Sequence, residues 1–315
     1  MQAAVVNAPG QAPKYQSFPD PEPGPGEAII RVRAAGLHPV VKSTASGQHY
    51  MSTGAYPAIP GLDGVGVLED GRRVYFGFVR KPWGTMAERA AGGRKFIAVP
   101  DGLDDATAAA IANPGMSAWM SLEERGGLAA GETVLIMGAT GVAGQLAIQV
   151  ARHLGAGRII AAGRNVEAIS TAKVDAIVSL SQPEGAVREA LATEAARGID
   201  LVIDYLWGRP TELLLEALAK GFRPESTRRT RLVEVGSMAG PTITLPGATL
   251  RSIDLAMLGS GFGAAPLDRI LAAIPTLFDL AAKGTLTIAV EPVPLARVEE
   301  AWNRVEKGRR IVFTV

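Results

Sequence analysis

The sequence predicts an α/β chain that joins a doubly wound parallel sheet to a β-rich, barrel-like part. Three observations carry that expectation. From residue 132 onward, apolar β-type runs alternate with helical segments, a pattern that specifies a parallel sheet with helices on both faces. The first hundred residues hold short β-leaning runs broken by proline and glycine, as in a small barrel or bent sheet. A glycine-spaced turn, Gly138-Ala139-Thr140-Gly141-Val142-Ala143-Gly144, stands between one strand and the helix after it.

Taken in order, residues 3–6, 27–34, 64–68 and 73–78 read as strands. Between them, Pro19-Asp20-Pro21-Glu22-Pro23-Gly24-Pro25-Gly26 and Tyr56-Pro57-Ala58-Ile59-Pro60-Gly61 stop regular structure, because proline fixes φ and has no N–H to donate. Near Asp104 the character changes, with alanine-rich helical segments at 105–113 and 116–122. Strand–helix pairs follow at 133–137 and 142–154, 158–162 and 166–172, 175–179 and 182–195, and 199–204 and 210–219, with a further strand at 232–235. A helix at 266–283, a strand at 286–290, a helix at 295–305 and a strand at 311–315 close the chain. That tail is too small to fold alone. It is expected to return to the N-terminal barrel, giving one domain of residues 1–112 and 262–315 and another of residues 113–261. Residues 223–231 carry four arginines and read as a solvated surface insertion.

Composition excludes several classes of function. At 315 residues, 47% hydrophobic and 20% charged, the chain is globular and long enough for two cores. A net charge of +1 gives no field that would draw nucleic acid or an acidic membrane. No apolar run approaches the roughly 18 residues needed to span a bilayer, and the start lacks the charged and apolar regions of a signal peptide, so a cytoplasmic protein is expected. There is no cysteine, and the histidines are three, His38, His49 and His153. Disulfides, thiolate metal ligands and cysteine nucleophiles are therefore excluded. No His-x-x-x-His pair offers the usual start of a catalytic zinc site, which takes about three protein ligands.

The glycine turn is where chemistry enters. Gly138, Gly141 and Gly144 would let the chain leave the strand sharply, bring bare backbone to a diphosphate, and pack the helix tightly on the sheet. The helix start adds free N–H groups and the positive end of its dipole. The second strand then ends Gly163-Arg164-Asn165, where an NAD site normally places an acid on the ribose 2′-OH. A guanidinium suits a 2′-phosphate instead, which points to NADPH. Glu167 is the nearest acid that could serve NAD.

At this point the residues resemble the zinc-free quinone oxidoreductase branch of the medium-chain dehydrogenase/reductase superfamily. The resemblance runs through Ala34-Ala35-Gly36-Leu37-His38-Pro39-Val40, Ile59-Pro60-Gly61-Leu62-Asp63-Gly64-Val65-Gly66 and Gly84-Thr85-Met86-Ala87-Glu88. It continues through Gly115-Met116-Ser117-Ala118-Trp119, the glycine turn, Gly198-Ile199-Asp200-Leu201-Val202-Ile203-Asp204 and Gly308-Arg309-Arg310-Ile311-Val312. It implies a GroES-like barrel substrate domain built from both chain ends, a Rossmann domain, a cleft between them, and a homodimer. The zinc-dependent branch draws ligands from a cysteine in the first of these segments and a Gly-His-Glu run in the second. Here Leu37-His38 and Gly61-Leu62-Asp63 stand instead, which implies zinc independence. His38 replaces an asparagine common beside the nicotinamide ribose, and Tyr50 matches a tyrosine of the substrate-lining loop, so both are candidates for orienting or protonating a carbonyl oxygen. Gly236, Ser237, Ser260 and Phe262 resemble stretches beside the nicotinamide. Arg310 takes the place of a lysine.

The function implied is NADPH-dependent hydride transfer to a quinone or similar conjugated carbonyl. Two alternatives stand beside it. One is double-bond reduction of an enal, enone or enoyl thioester. The other, of a different class, is a non-enzymatic NADPH-binding sensor or structural protein. A short-chain dehydrogenase would need Tyr-x-x-x-Lys, and Tyr205-Leu206-Trp207-Gly208-Arg209 lacks the lysine, so that stretch reads as a structural turn.

Overall fold

The computed structural model of the chain describes residues 1–315 except 94, 171–172, 221–227 and 306–307. It has two compact units, Met1–Asn113 with Ile274–Val315, and Pro114–Ala273.

The N-terminal segment of the first unit holds β1 (Gln2–Val5), β2 (Lys14–Ser17), β3 (Ala28–Gly36), helix α1 (Pro39–Ala45), β4 (Asp63–Leu68), β5 (Arg73–Gly77), β6 (Arg89–Gly92) and β7 (Ile97–Ala98). Helix α2 (Asp105–Trp119) follows and continues into a π-helical turn, Met120–Arg125. The second unit then runs β8 (Thr133–Met137), α3 (Val142–His153), β9 (Arg158–Gly163), α4 (Val166–Ser170), β10 (Ala176–Ser179), α5 (Glu184–Arg197), β11 (Leu201–Asp204) and α6 (Gly208–Lys220). Its last elements are β12 (Thr230–Glu234), α7 (Gly247–Ser252), β13 (Leu255–Gly259) and α8 (Leu267–Ala272). Helix α9 (Ile274–Ala282), β14 (Val290–Pro294), α10 (Val298–Ala301) and β15 (Arg310–Thr314) return to the first unit.

The first unit is a seven-stranded sheet in the order β14-β15-β3-β4-β5-β7, with β6 also on β3, beside the hairpin-like pair β1–β2. All its pairings are antiparallel except β14 with β15. Strand β15 lies against β3, Val312 opposite Gly36, so both chain ends supply one sheet. Its core joins Leu37, Val41, Ile59, Met86 and Phe313. The second unit is a six-stranded, wholly parallel sheet in the order β10-β9-β8-β11-β12-β13, with Leu135, Ile160, Val202 and Leu232 in its core. Alanine fills much of the buried interior, including Ala3, Ala4, Ala34, Ala35, Ala108 to Ala110, Ala147, Ala161 and Ala162. Among the described residues, no helix is long and apolar enough to cross a membrane.

Several elements differ from the sequence expectation, each for a physical reason. The helix expected at 266–283 is two helices, because Pro275 has no N–H for the turn before it and its ring crowds the carbonyl four residues back. The strand expected at 286–290 is Val290–Pro294. Pro292 and Pro294 are accommodated because β14 is an edge strand, where a missing donor is tolerated. Residues 262–273 belong with the second unit, in which Arg269 pairs with Glu124 at 2.6 Å. Part of the arginine-dense stretch lies outside the described residues, and the rest is no insertion. Arg228 pairs with Asp200 and Arg229 with Asp254, while Arg231, on β12, pairs with Glu132 and donates to the carbonyls of Gly126 and Gly127.

Candidate functional site

The parallel sheet dictates where a ligand of the second unit belongs. The chain leaves β8 for β9 and β10 on one side, then returns to β11, β12 and β13 on the other. The carboxyl ends of β8 and β11 thus flank a topological switch point, the place where open α/β sheets bind their ligands. The second-unit residues expected to bind cofactor, Gly138 to Gly144, Gly163 to Asn165, Gly236, Ser237, Ser260 and Phe262, all lie at or after the carboxyl ends of β8, β9, β12 and β13.

The glycine turn fills the switch point. Gly138 follows β8 with φ of +88°, a left-handed conformation that suits glycine. A Cβ there would stand 3.1 Å from Leu206 Cδ2 and 3.3 Å from Tyr205 Cβ. At Gly144 a Cβ would stand 2.3 Å from the Gly138 oxygen and 2.7 Å from Ala139 Cα, so the helix sits on the turn with no room for a side chain. The turn is pinned to β9, since Gly138 and Ala139 both donate to the Ala162 carbonyl, at 2.9 and 3.0 Å. Gly141, exposed and extended at φ −76° and ψ 160°, caps α3 without a side-chain hydrogen bond. The amides of Val142, Ala143 and Gly144 open the helix and have no intrahelical acceptors. The result is a cradle of bare backbone at the positive end of a twelve-residue helix.

Beside it, β9 ends at Gly163, where a Cβ would come within 2.6 Å of Thr140 Cγ2. The two turns are therefore closed on each other through a second missing side chain. Arg164 and Asn165 follow, both exposed. The Asn165 carboxamide oxygen accepts the Ala168 amide at 3.2 Å, starting α4 and leaving Arg164 at the rim of the turn. Glu167 is exposed on that helix.

On the other flank, Asp204 ends β11 fully buried. Its carboxylate accepts the amides of Leu206 and Trp207 at 2.9 and 3.1 Å and the Thr211 hydroxyl at 2.5 Å. Burial pushes its carboxyl above the usual range, against those hydrogen bonds. Glu234 lies opposite it on β12, and burial together with the Asp204 charge raises it too. Gly236 donates to the Asp204 carbonyl at 3.2 Å, and Ser237 is exposed. Ser260 donates its amide to the Glu234 carbonyl, and its hydroxyl lies 2.9 Å from that of Ser121. Phe262 is half-buried.

The two residues proposed for catalysis lie in the first unit in unlike surroundings. His38 opens α1 and is 1% exposed. Its ring lies over Gly36, where a Cβ would stand 2.4 Å from Nε2. Nε2 is 3.5 Å from Oδ1 of buried Asp63, and neither ring nitrogen has a hydrogen-bond partner among the described residues. The other Asp63 oxygen accepts the Tyr75 hydroxyl at 2.7 Å. Burial, and then the Asp63 charge, push the Tyr75 phenol well up, so it serves as donor. The sequence offered no sign of Tyr75, and Asp63 entered there only as an unfilled zinc position. Tyr50, by contrast, is 71% exposed, its ring 4.1 Å from that of His49. Arg310 is buried and donates to the Leu37 carbonyl at 2.9 Å, which makes it a structural residue of the first unit. No group of three or more His, Cys, Asp or Glu side chains suited to a metal ion occurs among the described residues.

A parallel doubly wound sheet with a closed glycine turn at its switch point, in a chain with an antiparallel companion unit, is the layout of a dinucleotide-binding protein, and the relatives make it an oxidoreductase. No family model matches the chain. It is 28% identical to the probable NADPH-dependent quinone reductase tdiC of Emericella nidulans, over 99% of each chain. It is 31% identical, over 79% of its length, to the spectinabilin polyketide synthase system protein NorB of Streptomyces orinoci, of which it spans 11%. Its fold superposes on the quinone oxidoreductase of Thermus thermophilus, known also in complex with NADPH, with a TM-score of 0.79, 29% identity and full coverage of both chains. In sequence and fold the chain is thus similar, along its whole length, to the quinone oxidoreductase branch of the medium-chain dehydrogenase/reductase superfamily.

Proposed function

We propose that this oxidoreductase uses NADPH, works without a zinc ion, and reduces a quinone or a similar conjugated carbonyl. The observation that carries the reading is the pair of mutually closed turns, Gly138 to Gly144 and Gly163 to Asn165, with Arg164 where an NAD site has an acid. The cradle fits the cofactor, since two positions at which any Cβ would collide with backbone or with Thr140 keep that surface bare for a diphosphate. The first-turn amides of α3 hold the diphosphate, and the Arg164 guanidinium takes the 2′-phosphate by charge-assisted hydrogen bonds. Gly236, Ser237, Ser260 and Phe262 border the nicotinamide. When bound, NADPH supplies the hydride.

The protein's part is position and surroundings. A quinone asks little of an acid, because the reduced product is a stable phenolate that takes its proton from water. An enone product is an enolate, which gains from a donor such as the Tyr50 phenol or His38. Similarity to segments of polyketide synthases favours double-bond reduction of an enal, enone or enoyl thioester as the second reading. Zinc independence is supported by the lack of cysteine and by Leu62 standing where the zinc branch has a histidine. The reading includes a cytoplasmic homodimer. The sheet of the second unit ends at β13, whose half-buried side chains and open backbone edge suit pairing with a second copy.

The test is consumption of NADPH, followed by absorbance with quinones and enals, with and without chelator, and repeated with NADH. Quinone turnover indifferent to chelator is expected. Substituting Arg164→Ala is expected to cut the preference for NADPH over NADH about ten- to a hundredfold, the worth of one charge-assisted hydrogen bond. Equal use of both nucleotides by the unaltered protein would overturn the Arg164 assignment, and inhibition by chelator the zinc-free one. Turnover of enals alone would move the assignment to the second reading.

A further inference from the structure

The first unit holds an open, apolar cavity of about 520 Å³, lined by none of the residues of the glycine turn or the His38 cluster. Its walls come from three loops: Phe18 and Pro19 after β2, Tyr56 and Pro57 after α1, and Lys81 and Pro82 after β5. Those loops are pinned by hydrogen bonds. The Tyr56 hydroxyl donates to the Ala45 carbonyl at 2.9 Å, the Trp83 indole to the Pro19 carbonyl at 3.1 Å, and the Ile59 amide to the Pro82 carbonyl at 2.8 Å. Three of the wall residues are prolines, whose φ is fixed in any case, so the walls have little freedom to collapse.

Lys81 is the charged residue of this lining, and it is half-buried. Among the described residues no carboxylate or carbonyl pairs with its amine. Asp20, next to Pro19, is taken by the N-terminal amine and by Arg89. Burial holds the Lys81 ammonium below its ordinary value, which raises the share of neutral amine at a given pH. A lysine amine desolvated in apolar surroundings is the form that acts as a nucleophile. The chain has no cysteine, so its amines meet no competition from thiols.

We propose that this cavity binds an aldehyde with an apolar chain and that the Lys81 amine captures it as an imine. The Nζ lone pair forms a bond to the carbonyl carbon, and a proton passes from nitrogen to oxygen to give a carbinolamine. Water then leaves as the C=N bond forms. No oxidant or reductant takes part, and hydrolysis releases the aldehyde again. An aldehyde suits the site better than a carboxylate, because it brings no charge to desolvate against proline and aromatic walls. Its chain gains by covering Phe18, Tyr56 and the prolines. The site is independent of the NADPH reading, and either can fail without the other.

The test is incubation of the whole protein with hexanal or with acetaldehyde, trapping by cyanoborohydride, and peptide mass mapping of all eight lysines. Trapping adds two hydrogens to the imine and fixes the ligand as a secondary amine. Hexanal is expected to label Lys81 about tenfold faster than the exposed Lys14, Lys173 and Lys283. At Lys81 it is also expected to outpace acetaldehyde about tenfold, since the longer chain covers more of the apolar wall. Ala55→Trp, which fills the cavity from an exposed position, is expected to slow Lys81 to the rate of Lys14, with the melting temperature reporting that the variant folds. Labelling of Lys81 no faster than of Lys14 in the unaltered protein would overturn the proposal. So would equal rates with the two aldehydes, which would make Lys81 a reactive amine without a binding site.

Discussion

Asp204 and Asp63 are both buried aspartates, one in each unit, and they are satisfied in opposite ways. Asp204 spends both oxygens on donors two, three and seven residues ahead of it. Asp63 spends one oxygen on Tyr75, twelve residues away, and turns the other toward His38 without a hydrogen bond. The first is a scaffold that fixes backbone beside the glycine turn. The second is a half-satisfied pair that leaves an imidazole uncommitted. Buried polar groups that are fully paired rigidify a site, and those that are partly paired keep a desolvation cost.

The sharpest way to break the scaffold is to crowd it. Gly144→Val is expected to abolish NADPH binding and to destabilise the second unit by about 3 kcal/mol, because its Cβ meets backbone rather than a movable side chain. Binding retained in a titration would show that the turn yields and is no cradle. Next in size is Asp204→Ala, which leaves two amides and a hydroxyl unpaired. A loss of about 2–3 kcal/mol in urea denaturation is expected, with weakened NADPH binding as the Tyr205 turn loosens. Tyr75→Phe, the matching cut in the first unit, removes one hydrogen bond to a charged acceptor and is expected to lose about 1.5 kcal/mol with NADPH affinity intact. If it weakened NADPH binding as much as Asp204→Ala does, the contrast between the two aspartates would fail.

The smallest effect concerns Glu234. Burial and the Asp204 charge raise its folded value above the ordinary 4.5, so the folded protein keeps that proton to a higher pH than the unfolded chain does. The protonated form's contribution is whole below 4.5 and is lost as pH rises through the raised folded value. Glu234→Gln is neutral at every pH. Its urea midpoint is expected to match that of the unaltered protein near pH 4 and to exceed it slightly at neutral pH. Midpoints that coincide across the whole range would mean that Glu234 is not strained by its neighbour.

The same contrast explains what could be read from the sequence. The parallel sheet announced itself because each strand from β8 to β11 is followed within a few residues by its own helix, and the glycine turn because its spacing is local. Asp204 was visible as the end of a strand, but its role depends on the amides of Leu206 and Trp207 and the hydroxyl of Thr211, which only the folded turn brings to it. The cluster of His38, Asp63 and Tyr75 joins three separate elements, and only the pairing of β4 with both β3 and β5 brings it together. Strand β13 was missed because Leu-Ala-Met-Leu-Gly shows no alternation to separate it from a helix. The strand expected at 286–290 was misplaced because prolines argue against a strand unless it is known to lie at an edge.

The alanine-filled interior has a chemical consequence beyond packing. Quinones and enals are electrophiles, and the protein groups they attack most readily are thiolates. Many buried sites that a small thiol could occupy hold a methyl group here, and the sulfur of the chain is confined to the thioethers of eight methionines. A chain so composed has no thiol to lose through covalent adduct formation, a property that would suit it to the reactive carbonyls proposed as its substrates.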